Sequence, residues 1–245
     1  MAVPAPFVEC NGQFTIELPR ARAAFTTRRG GVSQGAYASL NLGFATADDP
    51  ASQDANRTLL AELVGAPAAG WMYQVHSDRV AVLEDPAALG ERPEADGHAT
   101  RCAGVALGAL GADCLTVAVA GGGAVAIAHA GWRGLAAGVL SRTVERVRAL
   151  ADGDGVEVHA AIGPGAGPCC YEVGPEVHAA FAGRPTARRG DNLDMPAIAA
   201  AQLAEAGADA VHALGLCTIC HPELFFSHRR DRGVTGRQAG LAWLT

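Results

Sequence analysis

The spacing of apolar and polar positions divides the chain into short elements of mixed type. Residues 25–33 read as a short strand closing on a polar glycine turn, and residues 38–43 as another extended piece. Over residues 48–65, Leu59, Leu60 and Leu63 follow a polar start containing Asp54, Asn56 and Arg57, which predicts an amphipathic helix. Residues 71–83 read as strand with His76 inside it, and residues 84–94 as a polar loop holding two prolines. Apolar runs over 105–110, 115–120 and 124–128 have the length of buried strands; the last two are separated by Gly121-Gly122-Gly123. Leu135, Val139, Val144, Val147 and Leu150 keep helical spacing and predict a helix over 134–150. A strand over 156–162 ends in Gly163-Pro-Gly-Ala-Gly-Pro, and helices are expected over 173–181 and 195–207. The first segment reads as loop-rich, with residues 1–23 an N-terminal strand or extension. No repeat, linker or low-complexity break interrupts the chain, so the pattern predicts one α+β (mixed α/β) domain over residues 1–245.

Composition narrows the function. Of 245 residues, 49% are hydrophobic and 18% charged, which suits a globular chain with a substantial core. The net charge of -6 argues against broad binding to a nucleic-acid backbone. All 19 basic residues are arginine. Without lysine there is no Schiff base, P-loop lysine or Ser–Lys dyad, and phosphate recognition falls to arginine forks, backbone N–H groups or helix N-termini. The N-terminus has neither a basic region nor a long apolar run, and the apolar stretch over 105–130 is broken by Asp113 and glycines. The expectation is a cytoplasmic protein with no signal peptide and no membrane span, whose seven cysteines are reduced and free for metal or nucleophile chemistry.

The glycine run carries the first specific chemistry. If Gly121-Gly122 is a two-residue hairpin loop, Ala120 faces Gly123, and counting back along both strands puts Cys114 opposite His129. A thiolate beside an imidazole suits a zinc or copper ligand pair or a Cys–His nucleophilic dyad; a buried cysteine beside a core histidine is the plainer alternative. His129 is followed by Ala-Gly-Trp-Arg-Gly and a helix. Arg133 and the free N–H groups there read either as an anion site or, through Gly131 and Gly134, as close packing of helix on sheet.

Other motifs carry less. Cys217-Thr-Ile-Cys220-His221 matches a c-type haem attachment pattern, but that chemistry needs an exported compartment. The same cysteine pair could bind zinc, yet no second pair follows at zinc-ribbon spacing. His221-Pro-Glu223 has its CxxC on the wrong side for a zinc deaminase, and Gly163-Pro-Gly-Ala-Gly lacks a P-loop lysine. Arg229, Arg230, Arg232 and Arg237 read as a phosphate or RNA contact, or as a solvated tail with salt bridges.

Seven segments in order carry a resemblance: Thr27-Arg-Arg-Gly-Gly-Val-Ser33, Ser39-Leu-Asn-Leu-Gly43, Gln74-Val-His76, Gly111-Ala-Asp-Cys114, His129-Ala-Gly-Trp-Arg-Gly134, Tyr171-Glu-Val-Gly174 and Phe225-Phe-Ser-His-Arg-Arg-Asp231. From about residue 24 onward the chain resembles the laccase-domain family. Its members are also called multicopper polyphenol oxidase-like proteins, or purine nucleoside phosphorylases of the peptidoglycan editing factor type. The resemblance implies an α/β/β/α layered fold and a metal, usually zinc, held at His76, Cys114 and His129. It also implies phosphorolysis of adenosine, inosine and methylthioadenosine, with deamination of adenosine. Competing family assignments are a copper laccase and an editor of peptidoglycan precursors, the latter readable as a Cys114–His129 hydrolase. A non-enzymatic partner-binding protein is a further alternative. Ser77, Thr116, Gly165-Ala166 and His228 depart from the family's usual residues, and none is a ligand. Arg28 and Arg133 are assigned here to phosphate and Asn41 to sugar or base.

Overall fold

In the computed structural model, which describes residues 3–153 and 155–245, short strands outnumber helices. In chain order the strands are β1 (Val8–Cys10), β2 (Gln13–Leu18), β3 (Ala21–Phe25), β4 (Ala69–Trp71), β5 (Val80–Leu83), β6 (Gly97–Thr100) and β7 (Ala106–Gly111). They continue as β8 (Leu115–Gly121), β9 (Ala124–Ala130), β10 (His159–Ile162), β11 (Arg188–Arg189), β12 (Asn192–Leu193), β13 (Ala210–Ala213) and β14 (Gln238–Leu244). The helices are α1 (Pro50–Val64), α2 (Trp132–Ala137), α3 (Val139–Leu150), α4 (Pro175–Ala180) and α5 (Met195–Glu205).

Two six-stranded mixed sheets form the frame, in the orders β1-β2-β3-β14-β7-β4 and β13-β10-β8-β9-β6-β5. Phe14, Ile16, Phe25 and Leu107 of the first sheet meet Ala118, Val125 and Ile127 of the second in one buried cluster between them. The outer face of the first sheet is covered by α1, through Leu60 and Val64 against Trp71, Leu241 and Trp243. The outer face of the second is covered by α3 and α5, through Val144, Val147, Ile198 and Leu203. The result is the expected α/β/β/α layering. Because β8 and β9 are buried on both faces, they are continuous apolar runs rather than alternating ones.

Local chemistry sets the element ends. Asp49 caps α1 by accepting from the backbone N–H groups of Ala51 and Ser52; Pro50 starts the helix, and Gly65 ends it at φ 66°. The helix expected over 134–150 is split, because Gly138 adopts φ 92° between α2 and α3. The strand expected over 71–83 does not form. His76 sits at φ 62°, in the left-handed region, and the chain leaves the first sheet after β4 to join the second at β5. The strand expected from 156 starts at His159. The loop-rich N-terminal segment contains the β1–β2–β3 meander, and β6, β13 and β14 were not anticipated.

The hairpin register also differs from expectation. Gly122 and Gly123 have φ 54° and 74°, the pair of positive values that a type I′ turn demands, so they form the loop and Gly121 stays in the strand facing Ala124. His129 therefore faces Thr116, not Cys114, which lies just before β8. Among the described residues no helix is long and apolar enough to cross a membrane.

His98 on β6 is buried, and its Nδ1 has no hydrogen-bond partner. Burial pushes its pKa down from 6.5 to about 4, so the folded protein keeps it neutral while the unfolded chain takes up a proton. Stability from this site is complete above pH 6.5 and is lost as pH falls toward 4, by about 3 kcal/mol in total. Urea unfolding of wild type and His98→Leu across this range should show the difference between them shrinking or reversing as pH drops. A pH-independent difference would refute the assignment.

Candidate metal centre

Two chain crossings and the end of one strand build the site. The passage from β4 in the first sheet to β5 in the second carries His76, and the passage from β7 to β8 carries Cys114. His129 lies near the end of β9. Since β4 and β7 are parallel neighbours, their two crossings leave the first sheet at the same end. His76, Cys114 and His129 thus converge despite the altered register, with their ligand atoms all within 4.8 Å of one another. Cys114 Sγ lies 4.0 Å from His76 Nε2. The two imidazole rings meet edge to face with centroids 4.9 Å apart.

The surrounding backbone is shaped to this cluster. A Cβ on Gly131 would stand 2.8 Å from Cys114 Sγ and 3.1 Å from His76 Cδ2, so only glycine leaves the cluster room. The turn delivering Cys114 passes through Asp113 at φ 93°. Its carboxylate accepts from Thr218 Oγ1 and from the backbone N–H of Arg229, both at 2.7 Å.

Asp96, which sequence reasoning missed, organises the histidines. It is fully buried, and its Oδ1 lies 2.9 Å from His129 Nδ1. It also accepts from the backbone N–H groups of Val75, His76 and Ser77 and from the Ser77 hydroxyl. These donors hold the His76 loop in its left-handed conformation, and the Ser77 departure adds one of them. Burial alone would raise the Asp96 pKa; the hydrogen bonds from His129 and Ser77 hold it well below the usual carboxylate range. With Nδ1 committed to Asp96, Nε2 is the His129 nitrogen left to bind a metal, once it has given up its proton. No sequence spacing links Asp96 to His129; the only local cue is a carboxylate where the polar loop over 84–94 gives way to an apolar strand.

Burial would push the Cys114 thiol up, but the His129 charge and hydrogen bonds from His129 and His76 outweigh it and bring the pKa down to about 6. Burial would push His129 down, but the Cys114 thiolate and Asp96 raise it to about 9. In protein stripped with a chelator, alkylation of Cys114 should titrate with its midpoint at about 6 and move up toward the ordinary thiol range in His129→Ala. A parent midpoint in the ordinary range would contradict this ion pair.

The cluster opens into a cavity of about 470 Å³, the size of a small-molecule site. Arg92, Arg133, Arg229 and Arg237 line it, with Phe44, Tyr73, Trp132 and Tyr171 supplying aromatic surface. Arg133 stacks over Trp132 at 4.3 Å and Arg229 over Tyr171 at 5.0 Å. Part of the arginine cluster near the C-terminus is thereby placed at the cavity. Two expected substrate contacts are not. Arg28 donates to the Ala38 and Pro222 carbonyls at 2.7 and 3.0 Å and stacks over Phe226. Asn41 is fully buried, its amide donating to Thr46 and Asp48 and its carbonyl accepting from the N–H groups of Gly43 and Arg237. Both spend their polar atoms on shaping loops, and neither lines the cavity.

The fold and site define a two-sheet layered protein with an imidazole–thiolate cluster where the chain changes sheets. Residues 22–245 match the family described as multi-copper polyphenol oxidoreductase laccase. A Xylella fastidiosa purine nucleoside phosphorylase is 41% identical over 92% of this chain and 93% of its own. A solved Neisseria meningitidis protein of the DUF152 family is 37% identical, with a TM-score of 0.83 over 95% of this chain and 99% of its own. The Bacillus licheniformis protein YfiH is 29% identical, with a TM-score of 0.90 over 99% of this chain and all of its own. The chain belongs to this laccase-domain family.

Proposed function

We propose that this protein is a zinc-dependent purine nucleoside phosphorylase that takes adenosine, inosine and methylthioadenosine and also deaminates adenosine. The observation that carries the reading is the His76–Cys114–His129 cluster opening into a cavity lined by arginines and aromatic rings. The name of the Xylella fastidiosa relative supports it. Two imidazoles and one thiolate, with Asp96 orienting one imidazole, fit a catalytic zinc site that keeps one position open. Zinc bound there would supply Lewis-acid charge and an activated water.

The chain's own residues divide the remaining work. Arg133 and Arg229, each stacked on an aromatic ring, hold phosphate through their guanidinium groups, one of the means open to a chain without lysine. The exposed ring of Tyr73 offers a face for the purine. In phosphorolysis a phosphate oxygen bonds to C1′ as the bond from C1′ to the purine breaks, and the purine leaves with the electron pair. In deamination water replaces the C6 amino group, which leaves as ammonia.

Incubating adenosine with zinc-loaded protein tests both activities. Adenine and ribose 1-phosphate should appear only with phosphate, and inosine and ammonia with or without it. No base release from adenosine, inosine or methylthioadenosine would overturn the proposal.

One observation favours a second reading. Asp96, His129 and Cys114 stand in the order of a carboxylate–imidazole–thiol hydrolase, which could act on an amide of a peptidoglycan precursor. That activity would persist in metal-free protein. A multicopper oxidase is less well served. Among the described residues the only other cluster of candidate ligands is four cysteines, with none of the histidine-rich groups such a centre uses.

A further inference from the structure

The Cys217–Cys220 pair lacks a zinc-ribbon partner in sequence but gains one in space. Cys169 and Cys170, in the turn after the Gly163–Pro168 loop, bring their thiols to it. We propose that Cys169, Cys170, Cys217 and Cys220 form a tetrathiolate site for one divalent ion of the zinc class, separate from the His76–Cys114–His129 centre.

All four Sγ atoms lie within 4.8 Å of one another, with Cys169 and Cys170 at 3.4 and 3.1 Å from Cys220. Four sulfurs placed tetrahedrally at a zinc–sulfur distance of about 2.3 Å stand about 3.8 Å apart, so the two close pairs need open by only a few tenths of an ångström to hold an ion. Tetrahedral sulfur is the preference of zinc-class ions rather than of magnesium or calcium.

The backbone is arranged for a thiolate. The N–H of Gly167 lies 3.3 Å from Cys217 Sγ. A Cβ on Gly167 would stand 3.2 Å from Cys217 Cβ and 3.4 Å from Cys169 Sγ, so glycine permits the two segments to approach this closely. Cys169 and Cys220 are exposed, which gives an ion a path in, and each thiol releases its proton to solvent on binding.

The site's role follows from what it joins. Its first segment leads directly into Tyr171 on the cavity wall. Its second carries Thr218, whose hydroxyl donates to Asp113 in the turn that delivers Cys114, and whose N–H donates to Gly165 at 3.0 Å. A metal here cross-links two loops that frame the cavity.

Zinc counting by native mass spectrometry, with cobalt substitution, decides the matter on anaerobically purified full-length protein. Zinc-loaded Cys217→Ser/Cys220→Ser should hold one ion fewer per chain than wild type. Cobalt-loaded wild type should show thiolate-to-metal charge transfer of four sulfurs, lost in the double variant and kept in Cys114→Ala. Unchanged stoichiometry and spectrum would overturn the proposal, as would an intact mass showing disulfides among the four. If the double variant fails to fold, Cys114→Ala decides alone: a bound ion with a tetrathiolate spectrum supports the site, and its absence refutes it. Because the four cysteines are read independently of turnover, failure of the phosphorylase reading leaves this result standing.

Discussion

Cys114→Ala is expected to lose metal from the His76–His129 centre and to slow nucleoside phosphorolysis by at least about 10³-fold while remaining folded. A three-ligand site deprived of its only thiolate keeps two neutral imidazoles and loses the charge that balances the ion. Metal ions supply several kcal/mol of transition-state stabilisation, and about 1.4 kcal/mol is a factor of ten. The fold should tolerate the change, because Cys114 is only half-buried and precedes β8 rather than packing within it. Zinc analysis, steady-state rates and a thermal melt on the same preparation check all three parts. Full activity in a folded, metal-bearing variant would remove the site from the account.

Asp96→Asn should have the next largest effect, on both metal affinity and stability. The carboxylate accepts from five donors: His129 Nδ1, three consecutive backbone N–H groups and the Ser77 hydroxyl. An asparagine must turn an NH₂ toward either His129 and His76 or Val75 and Ser77, so donor meets donor in a fully buried position whichever way it faces. Loss of a hydrogen-bonded group behind a metal ligand costs ten- to a hundredfold in affinity. Leaving buried donors unpaired costs about 1–3 kcal/mol each, and at least two are left, so the variant should be destabilised by at least about 2 kcal/mol. Zinc titration against a competing chelator and urea unfolding measure the two losses. Unchanged affinity would mean that His129 is oriented by something other than Asp96.

The layered fold was legible where local chemistry is self-contained. The helix expected over 48–65 forms as α1, with the Asp49 cap, Pro50 and Gly65 setting its ends. The apolar runs of β8 and β9 announce strands buried on both faces. What failed depended on distant groups. The 71–83 segment has strand-like residues, yet the loop around His76 takes its shape from Asp96, a residue 20 positions away. The hairpin loop expected at Gly121-Gly122 lies one residue later, because Gly122 and Gly123 are the pair that adopts positive φ. Cys114 and His129 meet nonetheless, because the chain kinks at Asp113 rather than continuing a ladder. Arg28 and Asn41 were assigned to substrate from residue type alone, without knowledge of the loops that consume their hydrogen bonds. The four-cysteine cluster was invisible because 51 positions separate Cys169 from Cys220 and only tertiary folding joins them.

Anomalous diffraction at the zinc edge from crystals of the untreated protein tests the central claim most directly. The account expects a peak at bonding distance from His76 Nε2, Cys114 Sγ and His129 Nε2, about 2.0–2.1 Å from nitrogen and 2.3 Å from sulfur. No peak there in crystals of protein that phosphorolyses inosine would contradict it.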